Sequence, residues 1–172
     1  MTDAMLHVQE VCLREELEYL KAYLDIEQVH FGDRLHIDYQ IDPSTYDALV
    51  PSLILQPLAE NAIRHGLEPQ AKKGRLTVEA ACHGETLMLA IRDSGRGLEA
   101  SGAGRAGRAG RAGGAGRGGG AGRPFPRING GVGLSNTRAR LQKLYREDAR
   151  LELSPNANGG AVATVTLPLR TA

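Results

Sequence analysis

Two glycine clusters carry the most chemical information in this chain of 172 residues. They are Asp93-Ser94-Gly95-Arg96-Gly97 and, some thirty residues on, Gly131-Val132-Gly133-Leu134-Ser135-Asn136. An apolar helical segment ending Glu60-Asn61-Ala62 precedes both. An aspartate can accept a hydrogen bond from the amino group of a base, and glycines let backbone approach a ligand closely or take up φ > 0. An asparagine oxygen on a helix is a hard ligand suited to Mg²⁺, which binds through few protein groups and keeps waters and phosphate oxygens. One Gly-x-Gly means little, whereas three stations in this order suit a nucleotide pocket.

The elements that must position these residues follow from periodicity. Leu6, Leu13, Leu17, Leu20, Leu24 and Ile26 recur at helical spacing among charged residues, which predicts one amphipathic helix over residues 5–30. Its apolar stripe either packs on the domain behind it or contributes to a dimer bundle. Residues 35–41 alternate apolar and polar up to Asp42-Pro43, a strand and a turn. Pro51 suits the first turn of a helix whose buried face is Leu53, Ile54, Leu58, Ala62 and Ile63 and whose stop is Gly66. Strands over 75–82 and 86–92 are joined by His83-Gly84-Glu85. A helix over 131–146 and strands over 150–154 and 161–167 complete the set. Hairpin-joined strands with helices on one face predict an α+β, two-layer α/β sandwich with a mixed, mostly antiparallel sheet.

Bulk properties narrow the function classes. The length suits one cored domain with or without a helical extension. Six of the 21 basic residues are arginines at 105, 108, 111, 117, 123 and 127, which leaves 15 against 20 acidic residues in the rest. A mildly acidic body argues against a nucleic-acid binder. From Ser101 to Arg123 the composition is Gly, Ala and Arg with half of the 22 glycines, so no core can come from it. Cys12 and Cys82 form neither a disulfide framework nor a zinc spacing, which fits inert thiols in a reducing, cytoplasmic setting. No run approaches the roughly 20 apolar residues of a membrane span, and residues 1–15 lack a signal-peptide pattern.

Leu55-Gln56-Pro57-Leu58-Ala59-Glu60-Asn61-Ala62-Ile63-Arg64-His65-Gly66 resembles the N box of the GHKL ATP-binding superfamily, in the form found in LytS/YehU-type sensor histidine kinases. The two glycine clusters resemble its glycine boxes. Leu17-Glu18-Tyr19-Leu20 through Gln28, with Phe31 and Arg34-Leu35, is similar to the segment that links phosphoacceptor region and catalytic domain in that subfamily. The resemblance implies a Bergerat-type ATP-binding fold, with residues 1–32 as a helical stem, 33–172 as the catalytic domain and a lid at about 98–130. It implies a protein histidine kinase of a two-component phosphorelay, with ATP and Mg²⁺ as cofactors.

Carried over by position, Asn61 is the Mg²⁺ ligand, and Arg64 and His65 lie near the phosphates or ribose. Arg64 alternatively is a solvated charge, and His65 a helix C-terminal residue beside Gly66. Glu60 and Asn61 are the catalytic candidates, with Glu60 orienting water or metal or polarising the accepting group, or else a surface carboxylate. Asp93 takes the adenine amino hydrogen while Gly95 and Gly97 clear space for the base; the plain alternative is an Asx turn. Gly131, Gly133, Leu134 and Asn136 open a helix whose N–H groups and dipole face the triphosphate, or form an ordinary helix start. Arg138 and Arg140 are phosphate contacts or surface charges, and Phe125 anchors the lid's exit.

The departures matter too. Pro57 stands four residues before Asn61, where many superfamily members carry an acid, histidine or asparagine. Gly160-Ala161 replaces a common Gly-Thr, and no Pro-His-Phe phosphoacceptor context occurs. The resemblance therefore implies a phosphoacceptor helix outside this sequence, a dimer in the full-length protein, a response regulator as partner and a parent attached to the inner membrane. The rival readings are another GHKL ATPase or serine kinase of the anti-sigma type, and a nucleotide-binding module without catalysis. The Gly-Arg tract as a nonspecific RNA or phosphate binder is a further alternative.

Overall fold

A computed structural model of the chain describes residues 10–68, 72–97 and 132–172. Strand β1 (Glu10–Cys12) leads into helix α1 (Leu13–Phe31), followed by β2 (Leu35–Ile41) and β3 (Leu49–Pro51). Helix α2 (Leu55–Asn61) continues as a π-helical turn over Ala62–Leu67. Then come β4 (Gly74–His83), β5 (Thr86–Asp93), α3 (Val132–Tyr145), β6 (Arg150–Pro155) and β7 (Ala161–Pro168).

Five strands form one sheet in the order β2-β4-β5-β7-β6, parallel only between β2 and β4, while β1 and β3 make a separate antiparallel ribbon. Alternation sorts the sheet into two faces. Leu76 and Val78 of β4, Leu87, Leu89 and Ile91 of β5, Val165 and Leu167 of β7 and Leu151 of β6 share a core with all three helices. The helices contribute Leu13, Leu20 and Leu24 of α1, Leu55 and Leu58 of α2, and Leu134 and Leu141 of α3. The other face carries ion pairs between Asp38 and Arg75 and between Glu79 and Arg92. Helices on one face of a mixed sheet make this the expected two-layer sandwich, and the first helix belongs to the same core as the rest.

Several local expectations change. The chain runs as strand over Glu10–Cys12, because those residues pair with Leu49–Pro51 and tertiary pairing overrides the helical period; residues 5–9, Leu6 among them, lie outside the described residues. Ile26 is 58% exposed and does not belong to the buried stripe. Pro51 ends β3 instead of opening α2, and Leu53 is 51% exposed with φ +56. The start of α2 is fixed from outside by Glu16 of α1. Its carboxylate accepts hydrogen bonds from the Leu53 and Leu55 amides at 2.7 and 2.9 Å, serving N–H groups that no side chain of α2's own start caps. Arg140 of α3 donates to the Ser52 carbonyl and braces the same corner.

Gly66 does not stop the helix. The π-helical turn runs past it to Leu67 and closes with Glu68 N–H on Ile63 O at 2.7 Å. The β4–β5 turn shortens to Gly84-Glu85, with His83 paired to Thr86. The Gly-Arg tract, the lid at about 98–130, Phe125 and Gly131 lie outside the described residues.

Candidate nucleotide site

Asp93 ends β5 on the core side, in register with Leu87, Leu89 and Ile91, so its side chain is directed into the helix layer at one end of the sheet. It is 4% exposed. Glycine backbone from three segments walls it in. A Cβ on Gly66 would stand 2.5 Å from Asp93 Oδ1, and one on Gly160 would stand 2.0 Å from the Asp93 carbonyl oxygen. Both distances are impossible for real side chains, so these glycines are required by close approach. Gly95 touches Gly66 just as tightly, and the Arg96 amide donates to the Gly66 carbonyl at 3.3 Å. Gly97, at φ +78, lies against Gly160.

The Gly95 amide donates to Asp93 Oδ1 at 2.8 Å, an Asx turn, so the structural reading of Asp93 holds alongside any ligand role. Burial pushes the Asp93 carboxyl above its ordinary range, while hydrogen bonds from the Gly95 and Ala161 amides pull it back. A desolvated carboxylate with an amide already on Oδ1 is a directed acceptor.

The helix through α2 and the π-helical turn links this carboxylate to the other candidates. Gly66, its contact with Asp93, lies five residues beyond Asn61, and Pro57 lies four residues before it. A Cβ on Gly133 at the start of α3 would meet Pro57 Cβ at 3.8 Å. Gly133, Asn61 and Asp93 are thus strung along about two turns of one helix, with half-buried Asn61 in the middle. Widened π turns are frequent at functional sites.

The remaining candidates are distributed around this spine. Glu60 is held by Gln56, whose Nε2 donates to Glu60 Oε1 at 3.0 Å. Arg64 and His65 are exposed. Arg64 and Glu60 are near enough to Tyr23 of α1 for their charges to act on its hydroxyl, which burial, Glu27 and Glu60 push up to about 12. The helix continues past His65, so that residue caps no helix end. Leu134 packs its side chain in the core, leaving only backbone for a ligand, while Asn136 is exposed on the first turn of α3. Arg138 bonds the Leu151 carbonyl at 2.9 Å and Arg140 the Ser52 carbonyl, so both brace the fold.

Asn156 escaped sequence reasoning as a site residue, and Gly160-Ala161 entered it only as a departure from a common Gly-Thr. Gly66 read as a helix stop, and the Gly159-Gly160 doublet before β7 read as a turn. The available signal was that doublet, directly ahead of a buried strand.

Among the described residues no group of three or more His, Cys, Asp or Glu could hold a metal ion. A cation here would rest on Asn61 and on phosphate oxygens and water, which is how Mg²⁺ is usually held at nucleotide sites. The three-glycine cradle and the directed acceptor fit a purine with an amino group.

Comparison with known proteins decides the family. Residues 46–171 match the family described as histidine kinase-, DNA gyrase B-, and HSP90-like ATPase. The chain belongs to that family. Sensor histidine kinase YpdA of Escherichia coli (strain K12) is 41% identical over 91 residues, 53% of this chain and 16% of that protein. Sensor protein LytS of Oceanobacillus iheyensis is 31% identical over 160 residues, 93% of this chain and 25% of that one. The chain thus spans a quarter or less of the length of these relatives. Among solved structures, the catalytic domain of histidine kinase ThkA superposes with a TM-score of 0.61 at 12% identity, covering 95% of this chain and 97% of that one. The histidine kinase domain of the Erythrobacter litoralis blue-light-activated kinase gives 0.59 at 17% identity, covering 92% of this chain and 62% of that one. The fold is therefore that of histidine kinase catalytic domains, and ATP is the ligand this family's module binds.

Proposed function

We propose that this chain is the ATP-binding catalytic domain of a two-component sensor histidine kinase and directs the γ-phosphoryl of Mg-ATP to a histidine outside the sequence. The observation that carries the reading is the buried Asp93 carboxylate, walled by Gly66, Gly95 and Gly160, at one end of the helix that bears Asn61.

In this reading Asp93 accepts the adenine amino hydrogen, and Gly95 and Gly97 leave room for the ring. Guanine would set a carbonyl against that carboxylate, so ATP is favoured over GTP. Asn61 would hold Mg²⁺ through its side-chain oxygen, and the cation would supply charge neutralisation at the phosphates. The amides that open α3 around Gly133 and Leu134 face the phosphates, with the positive end of the helix dipole behind them, and Asn136 is available through its exposed side chain. Arg64 and His65 sit at the exposed rim for phosphate or ribose, and Gly131, outside the described residues, is assigned to the phosphates by its place in the second glycine cluster. Glu60, which accepts a hydrogen bond from Gln56 Nε2, is assigned to polarise the accepting imidazole. The protein's work in phosphoryl transfer is positioning and charge neutralisation.

The partners proposed are a phosphoacceptor helix of the same kinase, dimeric in the full-length protein, and a response regulator. ThkA, a structural neighbour with a TM-score of 0.57 in that complex, was solved with response regulator protein TrrA. No helix of the described residues is long and apolar enough to cross a membrane; attachment of the full-length parent to the inner membrane is part of the proposal.

Incubation with labelled ATP, Mg²⁺ and a separately supplied phosphoacceptor helix tests the proposal. Acid-labile phosphohistidine on the helix is expected. Bound ATP with no transfer would favour a nucleotide-binding module, a reading that Pro57 one turn before Asn61 supports.

A further inference from the structure

The β5–β7 ladder ends at the pair Arg92–Val162, one rung short of Asp93. Beyond it the Asp93 carbonyl takes its hydrogen bond from a side chain: Asn156 Nδ2 donates to it at 3.1 Å. The next rung would have paired Asp93 with Ala161. Asn156 also closes the β6–β7 turn, its amide on the Gly160 carbonyl and its carbonyl accepting from the Gly159 amide, both at 3.0 Å. Its Oδ1 accepts from Arg92 Nη1 at 3.3 Å, and Arg92 is gripped by Glu79 at 3.0 and 3.3 Å.

One residue therefore ties the turn that carries Gly160 and Ala161 to the end of the strand that carries Asp93, with an ion pair behind it on the outer face of the sheet. We infer that Asn156 is a positioning residue for base selection: its side chain holds the Asp93 main chain where the β5–β7 ladder has ended and so fixes the direction in which the Asp93 carboxylate meets the amino group of a purine. The inference rests on the proposed role of Asp93 as the acceptor for that group. It acts through the orientation of one carboxylate, so it bears on which base is preferred rather than on how the phosphates are held.

The test is calorimetric titration of the full chain with ATP and with GTP, which share ribose and triphosphate, in wild type, Asn156→Ala, Asn156→Asp and Asp93→Asn. The Asp variant is nearly isosteric, keeps an acceptor for Arg92 and the main-chain bonds of the turn, and replaces the donor to Asp93 with a charged acceptor, while the Ala variant removes the donor without adding charge. Both Asn156 variants are expected to bind ATP about three- to ten-fold more weakly, the value of one hydrogen bond, and to narrow the ATP-over-GTP ratio by a similar factor. A purely structural role would weaken both nucleotides alike and leave the ratio unmoved, and that result would overturn the inference. If Asp93→Asn itself leaves ATP affinity and the ratio intact, the base-recognition reading fails. If it collapses the ratio while Asn156→Asp preserves it, the role of Asn156 fails alone.

Discussion

The Asp93 carboxyl is buried against glycine backbone, with the Gly95 amide on Oδ1, and burial raises its pKa above the ordinary 3.8. A group raised in the folded state contributes stability that is fully present below its unfolded pKa and lost as pH rises through its folded one. Ligand binding runs the opposite way, since only the ionised carboxylate is an acceptor throughout. ATP affinity is therefore expected to fall as pH drops through the raised pKa toward 3.8, and Asp93→Asn should lose that acid limb while weakening ATP by about 1–3 kcal/mol at neutral pH; titration across the pH range reads both. Asp93 was legible in the sequence because Asp-x-Gly-x-Gly is a local signal. Asn156 was not, because its hydrogen bond to the Asp93 carbonyl spans more than sixty residues, and Gly160-Ala161 was legible only as a departure from a common Gly-Thr. Gly66 illustrates the same limit. A glycine near a helix end has two physical explanations, and only the 2.5 Å approach to Asp93 Oδ1 separates them.

Helix α2 is the element that spaces the site, and its start is set by Glu16, 1% exposed, from α1. Burial raises the Glu16 pKa, against hydrogen bonds from Leu55, Leu53 and Ile54 and the charge of Arg140. Glu16→Gln keeps the shape but turns an NH₂ toward one of the backbone N–H groups, and should cost about 1–3 kcal/mol in denaturant unfolding at neutral pH. By the same sign, wild type should gain relative to this variant as pH falls through the raised pKa toward 4.5. Gly133 gives the complementary experiment. The nearest atom to an added Cβ is Pro57 Cβ at 3.8 Å, an ordinary contact, so Gly133→Ala should leave the thermal midpoint unchanged or slightly raised. A loss of ATP affinity in that variant then reports on the ligand side of the α3 start. Helix existence and strand alternation were readable from periodicity, as β2 and the hydrophobic faces of β4, β5 and β7 attest. The ends of α1 and α2 were misplaced because β1–β3 pairing and the Glu16 carboxylate are tertiary contacts with no local signature.

For the whole molecule, a sheet with one apolar face against three helices leaves the ends of its central strands to meet α2, and the site forms where β5 and the β6–β7 turn converge on that helix. The two-layer architecture followed from element order alone, whereas the one parallel pair, β2 with β4, depends on the crossover through β3 and α2. A ligand that binds only the folded chain should raise its unfolding free energy by about 2.7 kcal/mol at a hundred times Kd, so ATP should protect the chain more than GTP at equal concentration. The most direct test of the shared site is titration of wild type, Asp93→Asn and Asn61→Ala with ATP and ADP, with and without Mg²⁺. Asp93→Asn should weaken all four titrations, and Asn61→Ala should weaken chiefly the Mg²⁺-dependent binding of ATP. Equal losses from both substitutions for ADP without Mg²⁺ would contradict a site in which Asp93 holds the base and Asn61 the cation.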